Sequence, residues 1–428
     1  MSSLATRRGR GVPLLAGSAA LALLCLSTSS VSPTAAAQAA PGEVRALWVL
    51  RSSLTSPASI TALVRSAREH GFNTLLVQVR GRGDAYFSGG IEPRAADLQR
   101  QPPTFDPLAA VLQAARGAGL DVHAWVNVNL VSSAADLPIA RTHVVNRHPE
   151  WLMVPREVAQ RLARVDPRSP AYVGRLARWS RGQTDGIEGL YTSPIIPAAA
   201  AHVESVVRDI ARRYDVAGVH LDYARYPSDR FDYSRTALAE FRKEVRAKLA
   251  SSVRMDLDRR EQVDLFAYPD ALPTEWRAFR VARMTALMTR LRAAVKATRP
   301  DALFTVAAAP DINDALDHKF QDWKRWLEAG TVDAVCPMAY TPEPARFAQQ
   351  IAAARDVAGG RAVWAGIGAY RLTATRTIEN IQTARRLGTA GIVLFSYDSL
   401  IDPKQAPADY LAVVGRSVFA ATSDAGSH

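Results

Sequence analysis

The sequence has very little cysteine: its 428 residues include only Cys25 and Cys336. Two cysteines can form at most one internal disulfide, and loss of an N-terminal segment holding Cys25 would leave none. Metal-binding patterns are missing too, because there is no HExxH sequence, no closely spaced cysteine pair, and the 8 histidines are scattered. We therefore expect neither a disulfide framework nor a metal site.

Signatures of nucleotide and nucleic-acid binding are absent as well. No GxxxxGKS or GxxxxGKT phosphate loop occurs, and the turn Gly81-Arg82-Gly83 is too short to indicate one. The basic stretches lack the interleaved aromatic residues and the motifs of nucleic-acid binders. We expect no cofactor and no nucleic-acid partner.

Acidic residues are fewer than basic ones, with 41 against 53, which makes the net charge +12. Three of these charges lie in the first ten residues and Glu43 is the first acid, so residues 41–428 keep a charge of +9. A basic surface favours polyanions, and outside the cytoplasm we expect a cell-wall glycan that bears peptide carboxylates. The alternative is that arginines such as Arg208, Arg212 and Arg213 only solvate helix faces.

The first 40 residues are predicted to be a secretory signal peptide. Arg7, Arg8 and Arg10 form a basic start, residues 14–26 are an apolar run, and Ala37-Gln38-Ala39 is a cleavage site of the A-x-A type. The apolar run is shorter than the roughly 20 residues that span a membrane, so we expect cleavage and no stable membrane anchor. The mature protein is then expected to be secreted or periplasmic.

From Glu43 onward, β-rich runs alternate with helical patterns. Strands are predicted at residues 44–50, 73–80, 120–129, 216–222, 303–309, 332–338, 362–367 and 390–396. Capped helices begin near residues 56 and 106, and further helical patterns occupy residues 199–214, 274–298, 319–329, 344–357, 375–387 and 407–421.

Eight strands separated by helices predict an α/β fold, a closed (β/α)8 or TIM barrel, over residues 41–421. Long insertions follow the third and fourth strands, at residues 130–197 and 224–272. An open doubly wound sheet usually carries a glycine-rich turn after its first strand, and residues 49–56 contain no glycine. Residues 422–428 are predicted to be a disordered tail.

Catalytic residues of such barrels lie at the C-terminal ends of the strands. Side chains alternate along a strand, so Trp125 and Asn127 share the inward face of the third strand with His123. The same alternation places Asp222 inward at the end of the fourth strand, above His220. We expect both histidines to be satisfied residues of the barrel interior.

The other strand ends add polar and aromatic side chains, with Gln78 and Arg80 pointing inward on the second strand and Asp84 just beyond them. The mouth is thus expected to collect Asp84, Asp222, Asp311, Asp398, Asn127, Asn129, Arg80, Arg225, Trp48, Trp125, Tyr223, Tyr340, Tyr370 and Tyr397. Rings stack on the apolar faces of sugars while carboxylates and amides bond hydroxyl groups. This combination favours a carbohydrate site.

Cleavage of a glycosidic bond needs a carboxylic acid that protonates the leaving oxygen and a second group that stabilises or captures the oxocarbenium-like centre. Asp222 is held on a strand in a partly desolvated mouth, where burial favours the protonated form that a general acid requires. The alternative is a structural role, since Arg225 follows three residues later and could pair with it. Asp311 and Asp314 bracket a turn and could be helix caps.

Several ordered segments together resemble the glycoside hydrolase-like family 10. They are EVRALWV at 43–49, FDPLAAVLQAARGAGLDVHAWVNVN at 105–129, RRYDVAGVHLDYARYP at 212–227, AVCPMAYT at 334–341 and GIVLFSYDSL at 391–400. The resemblance spans roughly residues 43–402 and implies a TIM barrel that is an exported hydrolase of denuded peptidoglycan, the glycan strands without stem peptides. It also implies that Asp222 is the catalytic acid and that the site is lined by Tyr223, Arg225, Tyr226, Asn127 and Tyr340.

The fourth strand is also similar to that of family 18 chitinases, which ends in Asp-x-Asp-x-Glu before Tyr-Pro. His220 and Ala224 stand where the outer acids would lie, so the essential glutamate is missing and this assignment fails. As the second carboxylate beside Asp222 we expect Asp398 or Asp311. The remaining alternative is a barrel that binds glycan without cleaving it.

Overall fold

The computed structural model describes residues 42–183 and 186–419. The predicted signal peptide at 1–40 and the predicted tail at 422–428 lie outside the described residues, and both stay predictions. Within the described part of the chain, no helix has the length and apolar character needed to cross a membrane.

The strands are β1 (Val44–Val49), β2 (Thr74–Arg80), β3 (Asp121–Asn127), β4 (Leu130–Ser133), β5 (Gly189–Tyr191), β6 (Gly218–Asp222), β7 (Leu303–Ala308), β8 (Ala334–Pro337), β9 (Ala362–Ile367) and β10 (Gly391–Leu394). Eight of them form a closed parallel barrel in the order β1, β2, β3, β6, β7, β8, β9 and β10, with β10 paired to β1. The remaining two, β4 and β5, form an antiparallel pair. The predicted (β/α)8 barrel is confirmed.

The helices are α1 (Pro57–Glu69), α2 (Pro107–Ala118), α3 (Val144–Arg147), α4 (Arg156–Leu162), α5 (Pro170–Arg181), α6 (Pro197–Arg213), α7 (Arg235–Arg246), α8 (Ser251–Glu261), α9 (Ala267–Ala271), α10 (Pro273–Lys296), α11 (Ile312–Asp317), α12 (Trp323–Glu328), α13 (Pro344–Val357), α14 (Ala374–Arg386), α15 (Tyr397–Ile401) and α16 (Tyr410–Val418). Short 3-10 turns occupy Arg51–Leu54, Ala96–Leu98, Pro149–Trp151 and Ala369–Arg371.

Local chemistry sets where the first barrel helices begin. The Ser56 side chain accepts a hydrogen bond from the backbone N–H of Ser59, and Asp106 accepts one from Ala109, while a proline follows each cap. Such caps satisfy N–H groups that have no partner within the helix, and proline at the first helical position costs no hydrogen bond. The predicted starts of these two helices are confirmed.

The two long connections are folded. The segment between β3 and β6 contains β4, β5 and α3–α6, and the segment between β6 and β7 contains α7–α10. Side chains from both segments share a second hydrophobic cluster that includes Leu152, Leu176, Phe241 and Trp276. These insertions therefore pack against each other and have a core of their own.

Alternation along the strands separates two layers of apolar side chains. One cluster fills the barrel interior and includes Trp48, Trp125, Cys336 and Trp364. The residues between them on the strands, such as Val126, belong to the larger cluster beneath the helices. Burial raises the pKa of the Cys336 thiol, which packs within this interior cluster.

Two histidines are buried inside the barrel in their neutral form. Trp48 Nε1 donates to His220 Nε2 at 3.1 Å, and Thr305 Oγ1 lies 2.9 Å from His220 Nδ1. An indole nitrogen can only donate, so Nε2 must be unprotonated and Nδ1 must carry the hydrogen. Burial lowers the pKa of His220 to about 3 and that of His123 to about 4.

We expect the free energy of unfolding to fall as the pH drops from about 6.5 towards 4. His123 and His220 have a pKa of 6.5 when unfolded and about 4 and 3 when folded, so only the unfolded chain gains these protons in that range. Each histidine contributes up to about 1.4 kcal/mol per pH unit between its two pKa values. Urea unfolding at a series of pH values measures the slope.

The matched variant is His220→Gln, whose side-chain oxygen can still accept the Trp48 N–H. It should be less stable at neutral pH but should lose stability less steeply in acid. Asp232 acts in the opposite direction, because burial raises its pKa to about 6, so the comparison rests on the difference between wild type and variant. Equal slopes would contradict a neutral His220 in the folded protein.

Candidate active site

A cavity of about 720 Å³ opens where the barrel strands end. Its lining includes aromatic side chains (Trp48, Trp125, Tyr223, Tyr340, Tyr370 and Phe395), amides (Gln78 and Asn127), acids (Asp97, Glu188 and Asp222) and bases (Arg51, Arg82, Arg225 and Lys319). The strand ends of the parallel barrel thus carry the mixture of rings and polar groups that the sequence predicts there.

Asp222 is the last residue of β6, is 7% exposed, and lies opposite Asn127 on β3. Its Oδ1 accepts hydrogen bonds from Arg225 Nη1 at 2.8 Å and from the Tyr223 backbone N–H at 2.6 Å. No described residue donates to Oδ2. One carboxylate oxygen is therefore fixed, and the other is left for a ligand in the cavity.

Tyr223 ends the strand by adopting the left-handed backbone conformation, with φ of +50°. This conformation costs a non-glycine residue about 1 kcal/mol, so surrounding contacts must hold it. The tyrosine ring lies 4.3 Å from the guanidinium carbon of Arg225, and its hydroxyl donates to Glu188 Oε2. Tyr223 therefore links the Asp222–Arg225 pair to a second carboxylate.

The pKa of Arg225 lies above its ordinary value. Burial by itself would lower this pKa, but the negative charge of Asp222 outweighs it. Arg225 thus stays a cation although it is largely buried, and it forms an ion pair with Asp222.

Aromatic rings meet around Phe395. Its ring centroid lies 5.9 Å from Trp48, 5.5 Å from Tyr340, 5.9 Å from Tyr370 and 6.4 Å from Trp125. Such edge-to-face and offset contacts fix the rings in place. Their arrangement provides a rigid apolar wall of the kind on which a sugar ring can stack.

Asn127 and Trp125 hold each other in the cavity. Trp125 Nε1 donates to Asn127 Oδ1 at 2.8 Å, and Asn127 Nδ2 donates to the Gly81 carbonyl at 2.8 Å. Of the residues predicted to bind substrate, Trp125, Asn127, Tyr223, Arg225 and Tyr340 line the cavity together with Asp222.

The predicted inward position of Arg80 is wrong. A bulge on β2 shifts the register, so that Gln78 lies opposite Trp125 but Arg80 lies opposite Val126, an outward position. Arg80 forms a buried ion pair with Glu92 at 2.6 Å and donates to the backbone carbonyls of Asn127 and Val128 at the end of β3. Its role is structural, and Gln78 takes the place at the cavity.

Asp398 and Asp311 are not brought to the cavity as partners of Asp222. Asp398 accepts hydrogen bonds from the Leu50 backbone N–H and the hydroxyls of Ser52 and Ser53, all at 2.7 Å, and so ties the start of α15 to the turn after β1. Asp311 caps α11 by accepting the Asp314 N–H at 2.9 Å. Asp311 therefore has the capping role that the sequence left as an alternative for it, and Asp398 joins two segments of the chain.

Three further predicted binding residues also lie outside the cavity lining. Asp84 accepts the Arg82 backbone N–H at 3.0 Å and stabilises the turn after β2. Tyr226 is fully buried with its ring 5.1 Å from that of Phe320, and Tyr397 is buried in the core beneath the helices. Each of these residues follows the end of a strand, where the backbone turns and the alternation of the strand no longer predicts which way a side chain points.

The acids Glu188 and Asp97 reach the cavity from segments that sequence reasoning left unassigned. Glu188 is an exposed residue just before β5, and Asp97 lies in the excursion after β2, where it accepts a hydrogen bond from the Tyr86 hydroxyl. No local pattern distinguishes these acids from the many other acids on loops. Glu188 is the carboxylate that Tyr223 connects to Asp222.

Known structures share this fold at low sequence identity. The glycoside hydrolase domain of PgaB (BpsB) from Bordetella bronchiseptica has a TM-score of 0.61 and 16% identity, with 89% of this chain and 100% of that chain covered. The catalytic domain of β-amylase from Paenibacillus polymyxa has a TM-score of 0.58 and 11% identity, with 89% and 99% covered. These similarities show the barrel fold alone.

Sequence relatives carry the comparison further. Glycosyl hydrolase YngK of Bacillus subtilis is 22% identical over 65% of this chain and 48% of its own length. Glycosyl hydrolase DigH of Escherichia coli K12 is 26% identical over 64% of this chain and 55% of its own length. The chain therefore spans about half the length of the curated relatives it matches. The profile of the family described as glycosyl hydrolase-like 10 matches residues 43–384, and this chain belongs to that family.

Proposed function

We propose that this protein is a glycoside hydrolase that cleaves a cell-wall glycan, with Asp222 as the carboxylic acid that protonates the leaving oxygen. The observation that carries the proposal is the state of Asp222, whose Oδ1 is held by Arg225 and Tyr223 while Oδ2 has no described partner at the cavity. A fixed carboxyl group with one available oxygen is suited to transfer a proton to a bound glycosidic oxygen.

The cavity lining supports a sugar substrate. The ring cluster around Phe395 can cover the apolar face of a pyranose, while Asn127 and Gln78 present amide groups to hydroxyls. Membership of the glycosyl hydrolase-like 10 family and the names of YngK and DigH support glycosidic cleavage as the reaction class.

Glu188 is the proposed second carboxylate. Glycosidases use one carboxyl group to protonate the leaving oxygen and another to capture the sugar or to activate water. Tyr223 joins the two groups, because its backbone N–H bonds Asp222 and its hydroxyl bonds Glu188. Retention of the anomeric configuration in the product would indicate capture by Glu188, and inversion would indicate water activated by it.

The proposed substrate is denuded peptidoglycan, as the family resemblance implies. The charge of +9 on residues 41–428 supports an acidic polymer. We also propose that the protein acts outside the cytoplasm, supported by the signal-like pattern of residues 1–40. Expression of the whole chain with a C-terminal tag should yield an exported species whose N-terminal sequence begins close after Ala39, and a cytoplasmic, uncleaved product would refute export.

We expect Asp222→Asn to lower the release of soluble fragments from denuded peptidoglycan by a factor of about 100 to 10,000, as loss of a proton-donating group does. Asparagine has nearly the same shape and keeps an acceptor for Arg225, so the fold should persist. The measurement is the rate of fragment release, with circular dichroism as the check on folding. The same variant should cleave a substrate with a good leaving group at a rate much closer to wild type, because that leaving group departs without being protonated.

Asp311→Asn is the matched control. Asparagine caps helices about as well as aspartate, and Asp311 lies outside the cavity, so both stability and activity should stay close to wild type. Full activity of Asp222→Asn would remove Asp222 from the mechanism. If the wild type releases nothing from a panel of glycans yet binds them, the protein is a glycan-binding barrel instead.

We expect Glu188→Gln to reduce kcat by at least about 100-fold, since the amide can neither capture the sugar nor accept a proton from water. Glu188→Ala with added azide should recover part of the rate, because the small anion can occupy the vacated position. Glu157→Gln, an exposed glutamate of the same insertion outside the cavity, is the control. A Glu188→Gln enzyme with wild-type kcat would rule Glu188 out as the second group.

A further inference from the structure

The segment between α11 and α12 presents Lys319 to the cavity. The sequence predicts a helix from residue 319, but that start is wrong: α12 begins at Trp323, and Phe320 has a left-handed φ of +50°. A phenylalanine in this conformation costs about 1 kcal/mol, so tertiary contacts must hold the segment out of the helix. The result is that Lys319 points to the cavity lining instead of lying on a helix face.

Contacts on both sides of Lys319 fix its backbone. The Tyr226 N–H donates to the Lys319 carbonyl at 3.0 Å. The Phe320 ring lies 5.1 Å from the ring of Tyr226 and 4.0 Å from the guanidinium carbon of Arg280. Packing among the buried side chains of Phe320, Tyr226 and Arg280 thus stabilises the segment in its non-helical conformation.

The next residue, Gln321, is fully buried and uses its whole amide group. Its Nε2 donates to the carbonyl of Ala307 at 3.1 Å and to that of Ala224 at 3.4 Å, and its Oε1 accepts the Ala309 N–H at 2.9 Å. These bonds attach the segment to the ends of β6 and β7, next to Asp222. The backbone next to Lys319 is therefore bonded to the ends of two barrel strands.

The charge of Lys319 has no acidic partner. Its Nζ donates to the Pro227 carbonyl at 2.5 Å, and no carboxylate of the described residues forms an ion pair with it. Partial burial and the nearby positive charge of Arg225 lower the pKa of Lys319, and the carboxylates of Asp314, Asp229 and Glu188 offset this only in part. Two cations that are close together and poorly solvated repel each other. A bound anion would relieve this repulsion.

The other charged residues of the cavity do not neutralise Lys319. Of the acids in the lining, Asp222 pairs with Arg225, while Glu188 and Asp97 accept hydrogen bonds from the hydroxyls of Tyr223 and Tyr86, and none of the three forms an ion pair with Lys319. The ammonium group of Lys319 has three hydrogens and uses one for Pro227, so two remain for a ligand.

We propose that Lys319 binds a free carboxylate on a sugar next to the cleaved bond and so makes the enzyme selective for acidic glycans. This inference rests on the glycoside hydrolysis proposed for the same cavity. In peptidoglycan the stem peptide is joined by an amide bond to the lactyl carboxylate of muramic acid. Removal of the peptide exposes a negative charge, and Lys319 provides the physical means to recognise it.

The test compares soluble denuded peptidoglycan strands with the same strands after reduction of their carboxylates to alcohols. Wild type should favour the acidic strands by about 10- to 100-fold in kcat/KM, the range of a hydrogen bond to a charged group. Lys319→Met should lower this ratio towards one, whereas Lys319→Arg should keep most of it. Thermal unfolding verifies that each variant is folded.

Lys324→Met is the matched control, because Lys324 lies on α12 outside the cavity with its side chain 47% exposed, and it should retain the wild-type ratio. Arg82→Met tests a different cation of the lining. The inference is overturned if wild type cleaves both strands equally, if Lys319→Met keeps the preference, or if Arg82→Met alone abolishes it.

If neither strand is cleaved, the proposed hydrolysis fails, and calorimetry with the same two strands still decides the role of Lys319. Tighter binding of the acidic strands by wild type, lost in Lys319→Met, would support the carboxylate contact. Equal binding of both strands, or no binding of either, would refute it.

Discussion

The parallel pairing of β10 with β1 closes the barrel, and the cavity depends on that closure. Val44 lies opposite Gly391 in this seam, and a Cβ atom added to Gly391 would come within 2.8 Å of Val44 Cβ and 3.0 Å of its carbonyl oxygen. The absent side chain permits the close approach. Closure brings Trp48 on β1 and Phe395 after β10 into one ring cluster, although 347 positions separate them along the chain.

The barrel interior supports the site from below. Trp48 is both a wall of the cavity and the donor to His220, which lies two residues before Asp222 on β6. Because His220 is neutral and bonded on both ring nitrogens, the layer beneath the carboxylate brings no charge to it. The charges of the site then come from residues that follow the strand ends, above all Arg225, Glu188 and Lys319.

Two residues with unusual backbone conformations hold these charged side chains in place. Tyr223 and Phe320 both occupy the left-handed region, one directly after β6 and the other before α12. Each has a cost in backbone energy, and each is held by contacts with neighbouring segments. Tyr223 connects Asp222, Arg225 and Glu188, while Phe320 keeps Lys319 at the cavity. Strain placed beside a polar cavity is typical of sites that need fixed geometry.

The barrel and the strand residues of its mouth follow from local patterns in the sequence. Strand alternation, helix caps and the insertions are local patterns, and Asp222, Asn127 and Trp125 lie on regular strands whose side-chain direction has a period of two. Their inward orientation therefore follows without any knowledge of the rest of the fold.

The groups that accompany Asp222 depend on long-range contacts. A bulge in β2 turned Arg80 away from the cavity, Asp398 bonds the turn after β1, Asp311 caps α11, and folded insertions and loops supplied Glu188 and Lys319. Bulges, turns and insertions have no fixed period, and the contacts that orient them come from distant parts of the chain. For that reason the strand residues of the site are predictable from sequence, while the loop residues that complete it are not.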